Sequence, residues 1–122
     1  MNILILDDDL YRHKEFNRKF INHTVKNVYE VWDAIEALKK YVFDYVFLDH
    51  SLGGKIHQTP GDGTGYEVAK WLYDNPDKQP KHIIIHSFDV DGPKKMKGLL
   101  PQAVLFPGVW IEPDPMNPTL TL

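Results

Sequence analysis

Acidic and imidazole side chains recur in this chain at the ends of short apolar runs. ILILDDD ends on Asp7, Asp8 and Asp9, VFLDHSLGG carries Asp49 and His50, and IIIHS ends on His86 and Ser87. Carboxylates drawn together repel. Two like charges about 4 Å apart cost roughly 4 kcal/mol at an effective dielectric near 20, so a site built from them raises a pKa or takes a cation. A hard divalent ion such as Mg²⁺ answers that repulsion with carboxylate, carbonyl and water oxygens, and can then hold a phosphate. Imidazoles titrate near neutrality, so one can take a proton from water while another gives one to a leaving oxygen. A metal on acids with imidazoles beside it has the parts for phosphoester hydrolysis. The competing reading is local, with Asp7 and Asp9 capping a helix and Asp49 capping a turn.

The apolar runs that carry these residues are themselves informative. Ile3 to Leu6, Tyr45 to Leu48 and Ile83 to Ile85 are short and nearly continuous, the pattern of strands buried on both faces of a parallel sheet. Val25 to Tyr29 and Ala103 to Phe106 supply two weaker strands. Between them, Phe16, Phe20 and Ile21, then Val31, Ile35 and Leu38, then Val68, Ala69 and Leu72, then Met96, Leu99 and Leu100 recur at helical spacing. Thr64, with Glu67 three residues on, reads as the capping box of the third helix. The alternation predicts an α/β fold: a three-layer, doubly wound, five-stranded parallel sheet with right-handed crossovers and four helices. In such a sheet ligands bind beyond the carboxyl ends of the strands, where strand order reverses. If the first and third strands are neighbours, Asp8 and Asp49 face each other there with Asp7 close by.

Two segments depart from the regular alternation. The glycine-rich connection from His50 to Gly63 exceeds the two to six residues usual for such loops and is a candidate lid. The stretch PGVWIEPDPMNPTLTL carries Pro107, Pro113, Pro115 and Pro118 and cannot form a fifth helix. Trp110 and Ile111 either cover that flank of the sheet or pair with a second copy, so a homodimer is open. Trp32 and Trp71 are expected to pack in the core or a groove, with base stacking the alternative for Trp71.

Six histidines are many for 122 residues. His13 falls on the inward stripe of the first helix with Phe16 and Phe20, His50 follows Asp49, and His86 precedes Ser87, so all three are expected on one acidic rim. His57 lies in the long connection, and His23 and His82 fall at the far ends of their elements. Arg12 and Lys55 are the cations available to a phosphate, and the amides of Gly53 and Gly54 can nest an anion. Each has a plain alternative: a solvated arginine on a helix, and glycines that simply turn the chain.

The segments ILILDDD, DYVFLDHSLGG, GDGTGYEVAKWL, IIIHS and VLFP resemble the landmarks of receiver domains of bacterial response regulators, over about residues 2–107. That resemblance implies a receiver-like domain over 1–107, while the prolines after it imply an extended proline-rich tail over 108–122 in place of the fifth helix. It also implies Asp7, Asp8 and Asp49 as ligands of Mg²⁺ or another divalent cation, Asp49 as phosphoryl acceptor and Ser87 as the hydroxyl after the fourth strand. One landmark differs, since receivers carry a lysine before the proline where this chain has Phe106 before Pro107. DDDLYRH, LDHSLGG and HSFDVDG are similar to the receiver family that processes cyclic phosphates, matching it at Asp8, Arg12, His13, Asp49, His50, Gly53, Gly54, His86, Ser87 and Gly92. Ser51 and Asp89 depart from that family, where an aspartate and an asparagine are usual.

Composition narrows the classes. A net charge of -3 supplies no basic field for DNA, no run of about 18 apolar residues spans a membrane, and the absence of cysteine removes thiol chemistry and fits a cytoplasmic protein. The expected function is a metal-dependent phosphoesterase acting on a small cyclic phosphate or nucleotide-like ligand. In it Asp49, His13, His50 and His86 are catalytic, Arg12, Ser87, Gly53 and Gly54 hold the phosphate, and Asp7, Asp8 and Asp49 hold the metal. The alternatives are a non-enzymatic binder, a sensor or sponge for a phosphorylated nucleotide, and a degenerate receiver used for protein contacts.

Overall fold

The computed structural model describes residues 1–49, 64–87 and 91–107, with backbone only at Ser87, Phe106 and Pro107. The expectations for His50, Gly53, Gly54, Lys55, His57, the connection 50–63 and the tail 108–122 lie outside the described residues. The elements run β1 (Asn2–Leu6), α1 (Leu10–Lys19), β2 (Thr24–Val28), α2 (Val31–Lys40), β3 (Tyr45–Asp49), α3 (Gly65–Asp74), a short 3-10 turn (Pro76–Lys78), β4 (His82–Ser87), α4 (Asp91–Leu99) and β5 (Val104–Pro107). All strands pair in parallel, in the order β2-β1-β3-β4-β5.

The apolar runs become central strands because both of their faces are covered. Leu4, Leu6, Val46, Leu48, Ile83 and Ile85 form one buried cluster with Val31, Ile35 and Leu38 of α2, Val68 and Leu72 of α3, and Met96 of α4. Ile3, Ile5, Phe47 and Ile84 point the other way and bury Phe16 of α1 and Phe20 just beyond it. The chain moves outward from β1 to β2 and then crosses back to β3, which puts α1 on the opposite face from α2, α3 and α4. That reversal lies between β1 and β3, the two strands that end on the acids.

Several local expectations shift. The second strand runs Thr24–Val28 rather than Val25 to Tyr29, because Asn2 to Leu6 pair with Thr24 to Val28 and release Tyr29 to pack on His13. Ile21 lies past the end of α1 and is 76% exposed, so the buried stripe is His13, Phe16 and Phe20 without it. Trp32 is 64% exposed instead of packed, because α2 turns Val31, Ala34, Ile35, Ala37 and Leu38 inward. Trp71 packs half-buried against the larger cluster. Thr64 does cap α3, its Oγ1 accepting from the Tyr66 amide at 3.2 Å. Among the described residues Glu67 Oε1 is buried without a partner, so that oxygen does not close the reciprocal half of the box. Among the described residues no helix is long and apolar enough to cross a membrane.

Phe16 is fully buried, and its ring meets Phe20, Phe47 and His86 at centroid distances of 6.2, 5.1 and 5.7 Å. Phe16→Ala is therefore expected to lower the unfolding free energy by about 3–5 kcal/mol. Ile21→Ser, on an exposed side chain, is expected to stay within about 0.5 kcal/mol of the parent. Urea unfolding of the two variants against the parent measures both.

Candidate metal and phosphate site

Asp7 follows the last residue of β1, Asp8 succeeds it, and Asp49 ends β3. Because β1 and β3 are paired neighbours, with Leu6 opposite Leu48, the three carboxylates converge. One oxygen from each lies within 4.8 Å of the others. Asp7 is wholly buried, Asp49 nearly so and Asp8 half-buried. Three hard oxygen donors with one of them reaching toward solvent suit a divalent cation such as Mg²⁺ or Ca²⁺.

Arg12 meets all three. It reaches back from the first turn of α1, whose start is fixed by Asp9: Asp9 Oδ1 accepts from the amides of Tyr11 at 2.8 Å and Arg12 at 3.2 Å. Asp7 is not the cap; its Oδ1 accepts from the Asp9 amide at 2.9 Å and so shapes the turn before the helix. The Arg12 guanidinium grips Asp7 bidentately, Nε to Oδ2 at 2.8 Å and Nη2 to Oδ1 at 2.7 Å. The same Nη2 lies 3.3 Å from Asp8 Oδ1 and 3.4 Å from Asp49 Oδ2. Burial works against its charge, but the bond to Asp7 and the charges of Asp7, Asp49 and Asp9 outweigh it, so its pKa rises above the ordinary arginine value.

The imidazoles divide in two. His13 reaches the rim as a brace: Nε2 lies 2.8 Å from the Asp7 carbonyl oxygen and Nδ1 lies 2.6 Å from Asn27 Oδ1. Tyr29 covers the ring at a centroid distance of 4.3 Å. Through these contacts, and through the Asp7 amide donating to the Val28 carbonyl at 3.2 Å, the end of β1 is tied to β2. Asn27 and Tyr29 escaped the sequence reading. The available signal was a polar amide at a strand position where Val25, two residues earlier on the same face, is apolar and half-buried.

His86 is different. It sits opposite Asp49 in the β3–β4 register, is wholly buried against Phe16, and has its Nδ1 3.8 Å from Asp7 Oδ2. Among the described residues neither ring nitrogen has a hydrogen-bond partner. Burial, aided by the positive charge of Arg12 and by His13 and only partly opposed by Asp7, lowers its pKa to about 4. At neutral pH the ring is therefore uncharged, and its approach to Asp7 is not an ion pair. A buried, unpartnered donor and acceptor cost about 1–3 kcal/mol each, a strain stored beside the acids. His23 and His82 lie at the opposite end of the sheet, His23 against the chain's amino terminus and His82 stacked on Tyr45. His50, Gly53 and Gly54 lie outside the described residues, as does the Ser87 side chain, although its backbone ends β4.

A family model for cyclic-phosphate processing receiver domains matches residues 2–102. The chain belongs to that family. Its fold is that of response-regulator receivers. A CheY-like receiver domain from Methylobacillus flagellatus superposes with a TM-score of 0.72 at 19% identity, over 98% of this chain and 95% of the other. The chemotaxis protein CheY4 of Vibrio cholerae gives 0.70 at 18% identity, over 99% and 98%. A Burkholderia pseudomallei response regulator, solved with a phosphorylated aspartic acid, a calcium ion and citrate, gives 0.64 at 16% identity over 85% of this chain and 58% of that one. Among curated proteins no sequence matches significantly. Within this receiver family frame, the Asp7–Asp8–Asp49 cluster has the form of the receiver divalent-cation site.

The buried imidazole makes stability pH-dependent. The unfolded chain protonates His86 near 6.5 and the folded chain only near 4, so between these values the unfolded state binds the extra proton. This receiver is then expected to lose stability as pH falls from about 6.5 toward 4, by up to roughly 3 kcal/mol from this residue, since a tenfold difference in proton affinity is about 1.4 kcal/mol. Urea unfolding across that range with a chelator present should give a distinctly shallower pH dependence for His86→Leu than for the parent. Parallel curves would show that His86 titrates alike in both states.

Proposed function

We propose that the protein is a divalent-metal-dependent phosphoesterase of small cyclic phosphates or nucleotide-like ligands. The observation that carries this reading is the acid cluster at the switch point with an uncharged, unpartnered imidazole beside it. Membership in the cyclic-phosphate processing receiver family supports the substrate class.

Asp7, Asp8 and Asp49 would hold the cation, Mg²⁺ or a similar ion. Bound there, the cation supplies Lewis-acid polarisation of a phosphoryl oxygen and offsets the charge of the reacting group. The rest falls to the chain. Arg12 donates hydrogen bonds to phosphate oxygens and helps neutralise them. His86, uncharged at neutral pH, has a lone pair to accept a proton from the attacking water; His50 next to Asp49 is the candidate for giving one to the leaving oxygen. His13, with both nitrogens engaged, holds Asp7 and α1 in place. Gly53, Gly54 and Ser87 are the remaining candidate contacts to the phosphate.

A second reading is favoured by one observation. Both described imidazoles of the rim are buried, His13 at 1% and His86 at 0% exposure, which suits a site that holds a phosphorylated ligand without turning it over.

Incubation with a panel of cyclic nucleotides and Mg²⁺ or Mn²⁺, followed by ³¹P NMR, separates the two. Ring opening is expected. Asp49→Asn should weaken metal binding or activity by about 10–100-fold or more, and His86→Ala should cost about 10²–10⁴ in rate with the fold retained. Stoichiometric binding of intact ligand would establish the binder instead.

A further inference from the structure

One nitrogen of Arg12 does what a metal ion would do. Nη2 lies 2.7 Å from Asp7 Oδ1, 3.3 Å from Asp8 Oδ1 and 3.4 Å from Asp49 Oδ2, reaching each carboxylate of the cluster at once. An ion bound to those carboxylates would share them with a positive group a few ångströms away, and the two would repel. The ion therefore gains full use of the acids only if the guanidinium leaves. Arg12 is placed to do so. Its side chain is 18% exposed, and its backbone amide is held separately by Asp9 Oδ1 at 3.2 Å, so the side chain can turn outward without unwinding α1. What opposes departure is the bidentate grip on Asp7, whose charge is buried, and a looser contact of Nη1 with Asp9 Oδ2 at 3.5 Å. An anion at the rim lowers that cost, because it offers the displaced guanidinium a second bidentate partner.

We propose that Arg12 is a resident counter-cation which the divalent ion must displace and the phosphate of the ligand then receives, so that metal and phosphate bind in concert. Metal alone meets an occupied site, and phosphate alone meets an arginine already committed to Asp7. Each ligand removes the obstacle to the other, and the coupling is reciprocal. The proposal rests on the phosphate-ligand reading above, but not on turnover. It also gives the site a selectivity of its own: a bare cation is held weakly, and the full metal complement assembles on a phosphorylated ligand.

The test is Mn²⁺ binding, followed by the electron paramagnetic resonance of the free ion, with and without saturating inorganic phosphate. In the parent, phosphate should tighten Mn²⁺ by at least about fivefold, the lower range of allosteric coupling. Arg12→Gln should bind Mn²⁺ about tenfold or more tighter than the parent without phosphate and show no further gain when phosphate is added. Arg12→Lys keeps the charge that offsets the acids but loses the fork; it should fold as the parent does and bind Mn²⁺ a few-fold tighter in the absence of phosphate. If both variants bind Mn²⁺ no more tightly than the parent, or phosphate coupling survives in Arg12→Gln, the displacement idea is wrong. A parent that couples Mn²⁺ to phosphate yet opens no cyclic ester overturns the phosphoesterase reading and keeps this one. Turnover with a Mn²⁺ affinity indifferent to both substitutions does the reverse.

Discussion

A carboxylate with no exposed surface is the constraint around which this structure is arranged. Asp7 directly follows the interior strand β1 and is wholly buried, where an uncompensated charge is costly. It stays tolerable because Arg12 grips it through two nitrogens, and the Asp9 amide donates to it as well. Replacing a buried ion pair by apolar groups is often neutral or stabilising, so the pair is poor evidence of selection for stability. It is better understood as the means of keeping acids in a place where stability alone would put leucines.

The fold makes that place unavoidable. Strand order β2-β1-β3-β4-β5 sets β1 beside β3, and the parallel register carries Leu6 opposite Leu48. Any acids that follow those residues then meet. The next step outward puts His86 beside Asp49 in the same row of the sheet. Position on the rim is thus decided by topology, whereas the state of each side chain is decided by what packs over it. His13 and His86 illustrate the difference. Both lie on the α1 face of the sheet; one is spent on the Asp7 carbonyl and Asn27, while the other lies against Phe16 with neither nitrogen engaged by the described residues.

That division explains what could be read in advance. Strand positions, the buried stripes at Val31, Ile35 and Leu38 and at Val68, Ala69 and Leu72, the Thr64 cap and the meeting of Asp7, Asp8 and Asp49 follow from local pattern plus one topological rule. The role of Arg12 did not, because spacing places a side chain on a helix turn without saying which of several acids it will reach. Nor did Asn27, whose value lies in a partner 14 residues away. Trp32 was misjudged on residue type: a large aromatic is usually covered, but the inward face of α2 was already filled by Val31, Ala34 and Ile35. The one-residue shift of β2 is likewise a tertiary effect, since pairing with β1 and the contact between Tyr29 and His13 decide where the strand stops.

The direction from which positive charge arrives separates this site from the receiver pattern it resembles. The receivers it resembles carry a lysine just before the proline after the fifth strand. Here the matching residue is Phe106, paired with His86 across β4 and β5, and the charge that the described residues bring to the acids comes instead from the first turn of α1. A cation on a strand end faces the anion from a fixed side. One on a helix turn, its backbone anchored to Asp9 and its guanidinium held by side-chain contacts to the acids, can serve the acids first and an anion later. Moving the charge from strand to helix therefore changes more than its place: it makes the counter-charge a movable part, and links the occupancy of the acid cluster to whatever negative group reaches the rim.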